Sequence, residues 1–383
     1  MKPIDASQPN RVRYFIVADD LTGACDSAVA FAGRGMTVEV LLHPDSDRFQ
    51  ADVCAVSTGS RDIGRELAAM RVREAIRMAP KACEVFKKID SVMRGNSFAE
   101  IQAALEYYPC DLAVMSPAYP ALGRTMKGGL LSIDDGTHKR VINLGEELRN
   151  AAIGDALVLP ADQTVKSAAS LMRDVMGATC PLVLCDAESE LDLQTAVRAA
   201  RSLDGKILWV GSGGLAHAVA HNLPQGRTHQ SADEANDGRL LLFVGSDHEV
   251  TKRQVAALKQ TTRVEEIDLE VCGVRSPEAQ VLVLNVLRAF TTEDQIRETL
   301  KSVADKGIRA CVLTGGDTAA LVLRSLGVGS IRLTGEFAPG LAMGIAQGGV
   351  LDGITVILKS GGFGRRDVLC RIADRFAGGR EAL

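Results

Sequence analysis

Two adjacent aspartates, Asp19 and Asp20, directly follow a short apolar run from Tyr14 to Ala18. Such a run predicts a buried strand, and ligands of open α/β sheets bind at the carboxyl ends of the strands. Neighbouring carboxylates repel each other, which costs stability unless a cation or a hydroxyl-rich ligand binds to them. We therefore interpret the pair as candidate catalytic and substrate-binding residues. The alternative is that one aspartate caps the following helix and the other is solvated.

A second polar cluster follows the predicted strand from Glu84 to Ile89. A lysine and an arginine beside a strand end suit a substrate carboxylate or phosphate. The alternative is a surface loop with a local ion pair, worth under about 1 kcal/mol. The candidate substrate-binding residues of this cluster are Lys88, Asp90, Ser91 and Arg94.

Three glycine-containing turns lie in the second half, at 245–246, 314–318 and 360–364, and we number them the first, second and third glycine turns. Glycine allows backbone N–H groups to approach an anion, and a following helix N-terminus adds its dipole. Three such turns at the strand ends of one sheet would converge on one phosphate-bearing ligand. A single turn of this kind is usually only a tight loop, and none of the three is a Walker motif.

Two other candidates in the first half are weaker. Residues Gly211 to Gly214 follow a predicted strand and offer a second anion-binding nest. Cys25 lies beside Asp26, but no histidine is near it in sequence, so we do not interpret it as an activated nucleophile.

The composition limits the class of protein. The chain has 383 residues, with 46% hydrophobic and 24% charged residues, which predicts a globular protein of two or three domains. A net charge of −4 and 4% aromatic residues argue against nucleic-acid binding. No apolar run is long enough for a membrane span, and the polar N-terminus does not resemble a signal peptide. Nine scattered cysteines fit a reducing compartment, so we expect a cytoplasmic protein.

Predicted strands and helices alternate along both halves, which are separated by a polar stretch from Pro224 to Gly238. The expected fold is α/β: two α/β domains with mainly parallel sheets and an active-site cleft between them. The expected divisions are residues 1–225, a linker at 226–238, and residues 239–383. We also predict a helix at 97–105 with a capping box formed by Ser97 and Glu100, and a hairpin across residues 130–142.

An acidic, hydroxyl-binding first domain and a phosphate-binding second domain together favour a two-substrate transferase. Phosphoryl transfer needs mainly positioning and charge stabilisation, so a carboxylate suffices as base. Mg²⁺ would balance the charge of the transferred group, and the sequence leaves its ligands open. Thr22 and Gly23 are expected to form a turn before a helix that runs from Ala24 toward Ala32. We prefer Asp20 to Asp19 as the base, because Asp20 begins this turn and is freer to face a ligand.

Several motifs resemble the four-carbon acid sugar kinase family, formerly a domain of unknown function. They are Val-Ala-Asp-Asp-Leu-Thr-Gly-Ala at 17–24, Lys-Ile-Asp-Ser-Val-Met-Arg-Gly-Asn at 88–96, Ser-Pro-Ala-Tyr-Pro with Gly-Arg at 116–124, Thr-Gly-Gly-Asp-Thr at 314–318 and Lys-Ser-Gly-Gly-Phe-Gly at 359–364. They span nearly the whole chain in the family's order. The resemblance implies ATP-dependent phosphorylation of the 4-hydroxyl of D-threonate, D-erythronate or 3-oxo-tetronate, with an N-terminal acid-sugar domain and a C-terminal nucleotide domain.

The resemblance also implies site residues. The acid-sugar positions would be drawn from the two aspartates and the second polar cluster. The ATP-binding positions would be Ser246, Gly315, Gly316, Asp317, Thr318, and Gly361 or Gly362. We expect Gly316 to need either a positive φ or a close backbone approach.

The sequence departs from the family pattern at residues 130–138 and at His248, where a second serine is expected. These departures leave the sugar acid open. The expected partners are a small acid sugar and ATP, and a homodimer is a possible assembly. A non-catalytic sensor of the same fold is the alternative function, and a nicotinamide-dependent dehydrogenase is disfavoured by the missing dinucleotide motif. ATP consumption with a panel of tetronates would separate the kinase from the sensor.

Overall fold

A computed structural model describes residues 12–42, 50–134, 139–178, 181–226, 238–269, 278–286, 291–303 and 307–377. The described chain divides into two compact units: residues 12–38 with 50–226, and residues 39–42 with 238–377. Most of the predicted linker, residues 227–237, lies outside the described residues. The limits 1–225 and 239–383 therefore stay a prediction. The predicted α/β class with mainly parallel sheets is confirmed in both units.

The first unit is built on parallel strands. Strands and helices are numbered along the chain, and those of its main sheet are β1 (Tyr14–Ala18), β3 (Val53–Ser57), β4 (Glu84–Lys88), β5 (Leu112–Ser116), β9 (Leu157–Leu159), β10 (Leu182–Cys185) and β11 (Ile207–Gly211). Their order is β3-β1-β4-β11-β5-β10-β9, and every neighbouring pair is parallel. All residues of β1 are buried, as expected for a continuous apolar run inside a sheet covered on both faces. The carboxyl end of β1 therefore lies between those of β3 and β4.

Helices and a small second sheet complete the first unit. The helices are α1 (Leu21–Ala32), α2 (Arg65–Met78), α3 (Ser97–Tyr107), α4 (Leu144–Asn150), α5 (Val165–Val175), α6 (Glu190–Arg201) and α7 (Gly213–His221). The small sheet is antiparallel and contains β6 (Arg124–Lys127), β7 (Leu130–Asp134) and β8 (Lys139–Asn143). The predicted hairpin is β7 paired with β8, and residues 135–138 of its turn lie outside the described residues.

The second unit has a mixed sheet. Its strands are β2 (Val38–Leu41), β12 (Arg239–Val244), β13 (Val264–Asp268), β14 (Val281–Asn285), β15 (Ile308–Thr314), β16 (Ser330–Ala338), β17 (Leu341–Gln347) and β18 (Thr355–Lys359). The first residue of β2, Val38, is counted in the first unit, and the rest of the strand belongs to the second. Its helices are α8 (Glu249–Thr261), α9 (Glu293–Val303), α10 (Gly316–Ser325) and α11 (Val368–Phe376). Strands β13-β14-β12-β15-β18 are parallel, whereas β17 and β16 continue the sheet antiparallel. A membrane-spanning helix needs a long apolar stretch, and no helix in the described ranges has one.

Two local predictions about helix starts are wrong. Helix α1 begins at Leu21, so Thr22 and Gly23 belong to the helix and not to a turn before it. Helix α3 is preceded by Asn96 and has no side-chain cap hydrogen bond, so the predicted capping box is not formed. Glu100, the expected partner of Ser97, is buried, and its carboxylate forms an ion pair with Lys87 instead.

Candidate active site

The aspartate pair is buried at the carboxyl end of β1. Asp20 is the N-cap of α1: its Oδ1 accepts from Gly23 N–H at 2.7 Å, and its Oδ2 accepts from the Thr22 hydroxyl at 2.8 Å. The capping interpretation therefore holds for Asp20, and the reason for preferring it as the freer carboxylate does not. Asp19 is only 2% exposed, so it is not the solvated partner that the alternative required.

A single guanidinium, that of Arg61, binds both aspartates. Its Nε and Nη2 donate to the two oxygens of Asp19 at 2.7 and 2.9 Å, and its Nη1 donates to Asp20 Oδ2 at 2.7 Å. Asp90 Oδ2 lies 3.6 Å from Nη2 of the same side chain. Arg61 was missed in the sequence, although it follows β3, and adjacent parallel strands end at the same sheet edge.

Buried contacts hold the Arg61 loop in place. Ser60 donates its backbone N–H to Asp19 O at 2.9 Å and its hydroxyl to Glu100 Oε1 at 2.5 Å. Glu100 in turn forms a fully buried ion pair of 2.8 Å with Lys87 on β4. A Cβ on Gly95 would lie 2.8 Å from the Arg61 carbonyl oxygen, so the two loops approach closely. The loop that carries the Arg61 guanidinium is thus held in place by buried hydrogen bonds and close packing.

The predicted second cluster joins the same carboxylates. Arg94 donates from Nε and Nη2 to Asp90 Oδ2 at 3.1 and 2.6 Å, which is the local pair foreseen as the alternative. The Arg94 side chain is nevertheless 60% exposed, so it has donors left for a ligand. Lys88 is buried and donates to Ile89 O at 2.8 Å. Ser91 is half-buried in the loop after Asp90.

The neighbouring cations keep two of these carboxylates ionised. Burial by itself raises the pKa of Asp19, but the adjacent Arg61, with Lys88 and Lys87, lowers it more, so the net pKa lies below the ordinary value. Burial likewise raises the pKa of Asp90, and Arg94 followed by Arg61 and Lys88 brings it well below the usual range. Both groups are therefore weak bases and good hydrogen-bond acceptors at neutral pH.

We predict that Arg61→Met lowers the free energy of unfolding by about 3 kcal/mol, because buried carboxylates lose their cation. The low pKa values of Asp19 and Asp90 contribute stability that is present above about pH 4, the ordinary Asp pKa, and is lost as the pH falls below it. The difference between wild type and variant should therefore shrink on acidification. Urea unfolding between pH 3 and 8 measures it, with exposed Arg65→Met as the control. An equal difference at every pH would contradict the pairing.

Two other first-half candidates have structural explanations. A Cβ on Gly213 would overlap the Asp26 carboxylate, and one on Gly214 would overlap the Ala118 carbonyl oxygen. Glycines at 213 and 214 thus permit close packing, and the Gly214 N–H donates to the Ser212 hydroxyl at 3.2 Å. The anion nest itself stays a prediction. Cys25 is buried, and burial raises the pKa of its thiol, so it is no nucleophile.

The three glycine turns of the second unit follow three neighbouring parallel strands, β12, β15 and β18. They contact one another at this edge. A Cβ on Gly245 in the first turn would overlap the Thr318 hydroxyl of the second, and a Cβ on Gly361 in the third would overlap the Ser246 hydroxyl of the first. Gly315 N–H donates to Lys359 O at 2.9 Å, and this bond joins the second glycine turn to the end of β18. The expected convergence of the turns is observed.

The positive φ in the second turn lies at Gly315, with φ 92°, whereas Gly316 is the first residue of α10. The first alternative expected at Gly316, a positive φ, is therefore wrong, because the helix begins there and needs ordinary helical angles. The second alternative, a close backbone approach at Gly316, stays a prediction. Asp317 and Thr318 follow in the first turn of α10. His248, which stands where a second serine is expected, is the N-cap of α8: its Nδ1 accepts from Val250 N–H at 3.2 Å.

The described residues contain no group of three or more His, Cys, Asp or Glu side chains that could hold a metal ion. In the first unit, Arg61 and Arg94 already occupy the clustered carboxylates. These residues do not fit a resident metal.

Two family models match the chain: a sugar-binding N-terminal domain over residues 14–148 and a nucleotide-binding C-terminal domain over residues 285–369. Curated D-threonate kinases from Bordetella bronchiseptica and Cupriavidus necator are 32% and 31% identical. The alignments cover 94% and 93% of this chain and 96% of each relative. A 3-oxo-tetronate kinase from Pseudomonas fluorescens is 25% identical over 95% of this chain and 97% of the relative.

Solved structures share the fold. A Salmonella typhimurium protein superposes with a TM-score of 0.76 at 20% identity, covering 96% of this chain and 100% of that one. A Haemophilus influenzae protein assigned to a domain of unknown function gives 0.68 at 20% identity, covering 92% and 98%. The chain belongs to the four-carbon acid sugar kinase family, whose named members act on tetronates.

Proposed function

We propose that the protein is an ATP-dependent kinase that phosphorylates the 4-hydroxyl of a four-carbon acid sugar: D-threonate, D-erythronate or 3-oxo-tetronate. The observation that carries the proposal is the contact among three glycine turns at the ends of adjacent parallel strands. Backbone N–H groups and helix N-termini gathered in this way suit the phosphates of a nucleotide. The curated relatives named as tetronate kinases support the acceptor class.

The first unit would hold the acid sugar. Its carboxylates, Asp19, Asp20 and Asp90, are hydrogen-bond acceptors for hydroxyl groups, and Arg94 keeps an exposed guanidinium for the substrate carboxylate. Lys88 and Arg61 add positive charge next to these acceptors. A ligand with hydroxyls at one end and a carboxylate at the other matches this distribution of charge.

The aspartate pair would orient the reacting hydroxyl. The lowered pKa of Asp19 makes it a poor proton acceptor before transfer but a permanent hydrogen-bond acceptor. We keep Asp20 as the carboxylate that takes the proton late in the reaction, because the lowered pKa of Asp19 makes Asp19 a poor acceptor. Phosphoryl transfer requires little base catalysis early. Its cap bond to Gly23 fixes the carboxylate in one orientation.

The second unit would bind ATP through Ser246, Gly315, Gly316, Asp317, Thr318, Gly361 and Gly362. Mg²⁺ would enter as part of the nucleotide substrate, held mainly by phosphate oxygens and water, as this ion usually is. It would supply charge neutralisation to the phosphates. A homodimer remains a possible assembly, which sedimentation of the purified protein would test.

We predict that Arg94→Lys raises the KM for the acid sugar by about tenfold, because lysine keeps the charge but lacks the planar fork that pairs with a carboxylate. The KM for ATP should stay within about twofold, since that site belongs to the other unit. Steady-state kinetics with each substrate varied in turn measures both constants. Equal increases in the two constants, or full activity on the corresponding sugar alcohol, would show that Arg94 does not read the carboxylate.

The proposal is tested by ADP release with each of the three tetronates as acceptor. We expect turnover with at least one of them and only background hydrolysis without an acceptor. Tight binding of ATP and a tetronate without ADP release would favour the non-catalytic sensor instead.

A further inference from the structure

A lysine at the end of β18 lies behind the third glycine turn. The Lys359 side chain is fully buried, and no carboxylate among the described residues pairs with it. Its Nζ donates to three oxygens at 3.0 Å each: the Thr251 hydroxyl and the carbonyls of Ser360 and Gly361. A buried ammonium group without a counter-ion is costly, and its three hydrogen bonds, two of them to carbonyls of the third glycine turn, offset that cost.

A threonine on α8 completes the arrangement. The Thr251 hydroxyl accepts from Lys359 and donates to the Gly361 carbonyl at 2.8 Å, so that carbonyl receives two hydrogen bonds. Thr251 is itself fully buried. The three donors of the ammonium are all used by neighbouring oxygens, which leaves the turn little freedom to rotate its peptide groups.

These hydrogen bonds also determine which way the N–H groups of the third glycine turn point. In a trans peptide unit the C=O and the following N–H point in opposite directions. Because the carbonyls of Ser360 and Gly361 face Lys359, the N–H groups of Gly361 and Gly362 face away from it. Neither of these N–H groups donates to another group within the described parts of the chain. Two successive backbone donors on one side of a turn form an anion-binding nest.

We propose that Lys359 and Thr251 are positioning residues of the nucleotide site, which orient the third glycine turn so that its two successive N–H groups bind a phosphate group. This inference rests on the proposed kinase function. Lysine suits the role because its donors converge on several carbonyls at once and its positive charge lies behind the nest. Burial lowers the pKa of Lys359 to about 7, and a bound phosphate would favour its charged form.

The test is the affinity for ATP, measured by titration calorimetry on the full chain. Lys359→Met keeps an unbranched side chain without donors, and Thr251→Val keeps the shape of threonine without its hydroxyl. Each should weaken ATP binding, Lys359→Met by about tenfold or more and Thr251→Val by about threefold to tenfold, as expected for loss of orienting hydrogen bonds. The KM for the acid sugar should be unchanged. Thr251→Ser restores the hydroxyl and should restore the affinity.

The outcomes separate the inference from the proposed function. Wild-type protein that binds no ATP would remove the kinase proposal itself. Wild-type protein that binds ATP, with folded Lys359→Met and Thr251→Val binding it equally well, would overturn the positioning role alone. Failure of Thr251→Ser to recover affinity would also overturn it, because packing and not the hydroxyl would then be responsible. If Lys359→Met does not fold, the two Thr251 variants decide the question.

Discussion

Asp20→Asn is expected to lower kcat by about 100-fold or more, the usual effect of removing a positioned acid or base. Asparagine keeps the oxygen that caps α1 through Gly23 but loses the charge that pairs with Arg61 and receives the hydroxyl proton. ATP affinity should be nearly intact, because the nucleotide positions belong to the second unit. Initial rates at saturating substrates, combined with calorimetric titration of ATP, measure both effects.

The controls for this prediction come from the same stretch of chain. Asp62→Asn removes an exposed carboxylate next to Arg61 and should leave kcat unchanged. Asp19→Asn should also lower kcat, since it weakens the two hydrogen bonds by which the Arg61 guanidinium binds the Asp19 carboxylate. Near-full kcat in both Asp19→Asn and Asp20→Asn would show that the pair only caps a helix and anchors an arginine.

Gly361→Ala is expected to weaken ATP binding by at least about tenfold, or roughly 1.4 kcal/mol. The added Cβ would overlap the Ser246 hydroxyl and lie 3.1 Å from His248 Cβ, so the first and third glycine turns must separate. The KM for the acid sugar should not change. Calorimetric titration of ATP measures the loss.

Gly329→Ala is the matched control in the same unit. Its Cβ would meet its nearest neighbour, the Gln347 carbonyl oxygen, at 3.7 Å, which is an ordinary contact. The control should bind ATP as the wild type does. Equal affinities of Gly361→Ala and Gly329→Ala would mean that the contact between the turns is not needed for the nucleotide.

The parallel strands and their loops were predictable because their patterns are local. The apolar run from Tyr14 to Ala18 gives the bounds of β1 as observed. The three glycine turns were predicted to converge from their places after strands, and β12, β15 and β18 are indeed neighbours. By contrast, β16 and β17 were missed. Gly335 and Gly344 interrupt the apolar pattern of these strands, and antiparallel pairing along their length holds the two strands together.

The missed site residues depend on contacts far apart in the chain. Arg61 contacts carboxylates more than 40 residues away, and in sequence it reads as an ordinary loop arginine. Glu100 matched a capping box locally, but the buried Lys87 on β4 binds it instead. Lys359 ends an apolar strand and reads as a solvated residue until the sheet buries it against α8. Adjacency of parallel strand ends was the one signal that pointed toward Arg61.

The central claim is ATP-dependent transfer of a phosphoryl group to the 4-hydroxyl of a four-carbon acid sugar. Phosphorus NMR of the reaction with each of D-threonate, D-erythronate and 3-oxo-tetronate tests it most directly. The account predicts a phosphomonoester signal coupled to the two protons on carbon 4, formed with one equivalent of ADP and only when ATP is present. Absence of any sugar phosphate with all three acceptors, or phosphorylation at another position, would contradict the account.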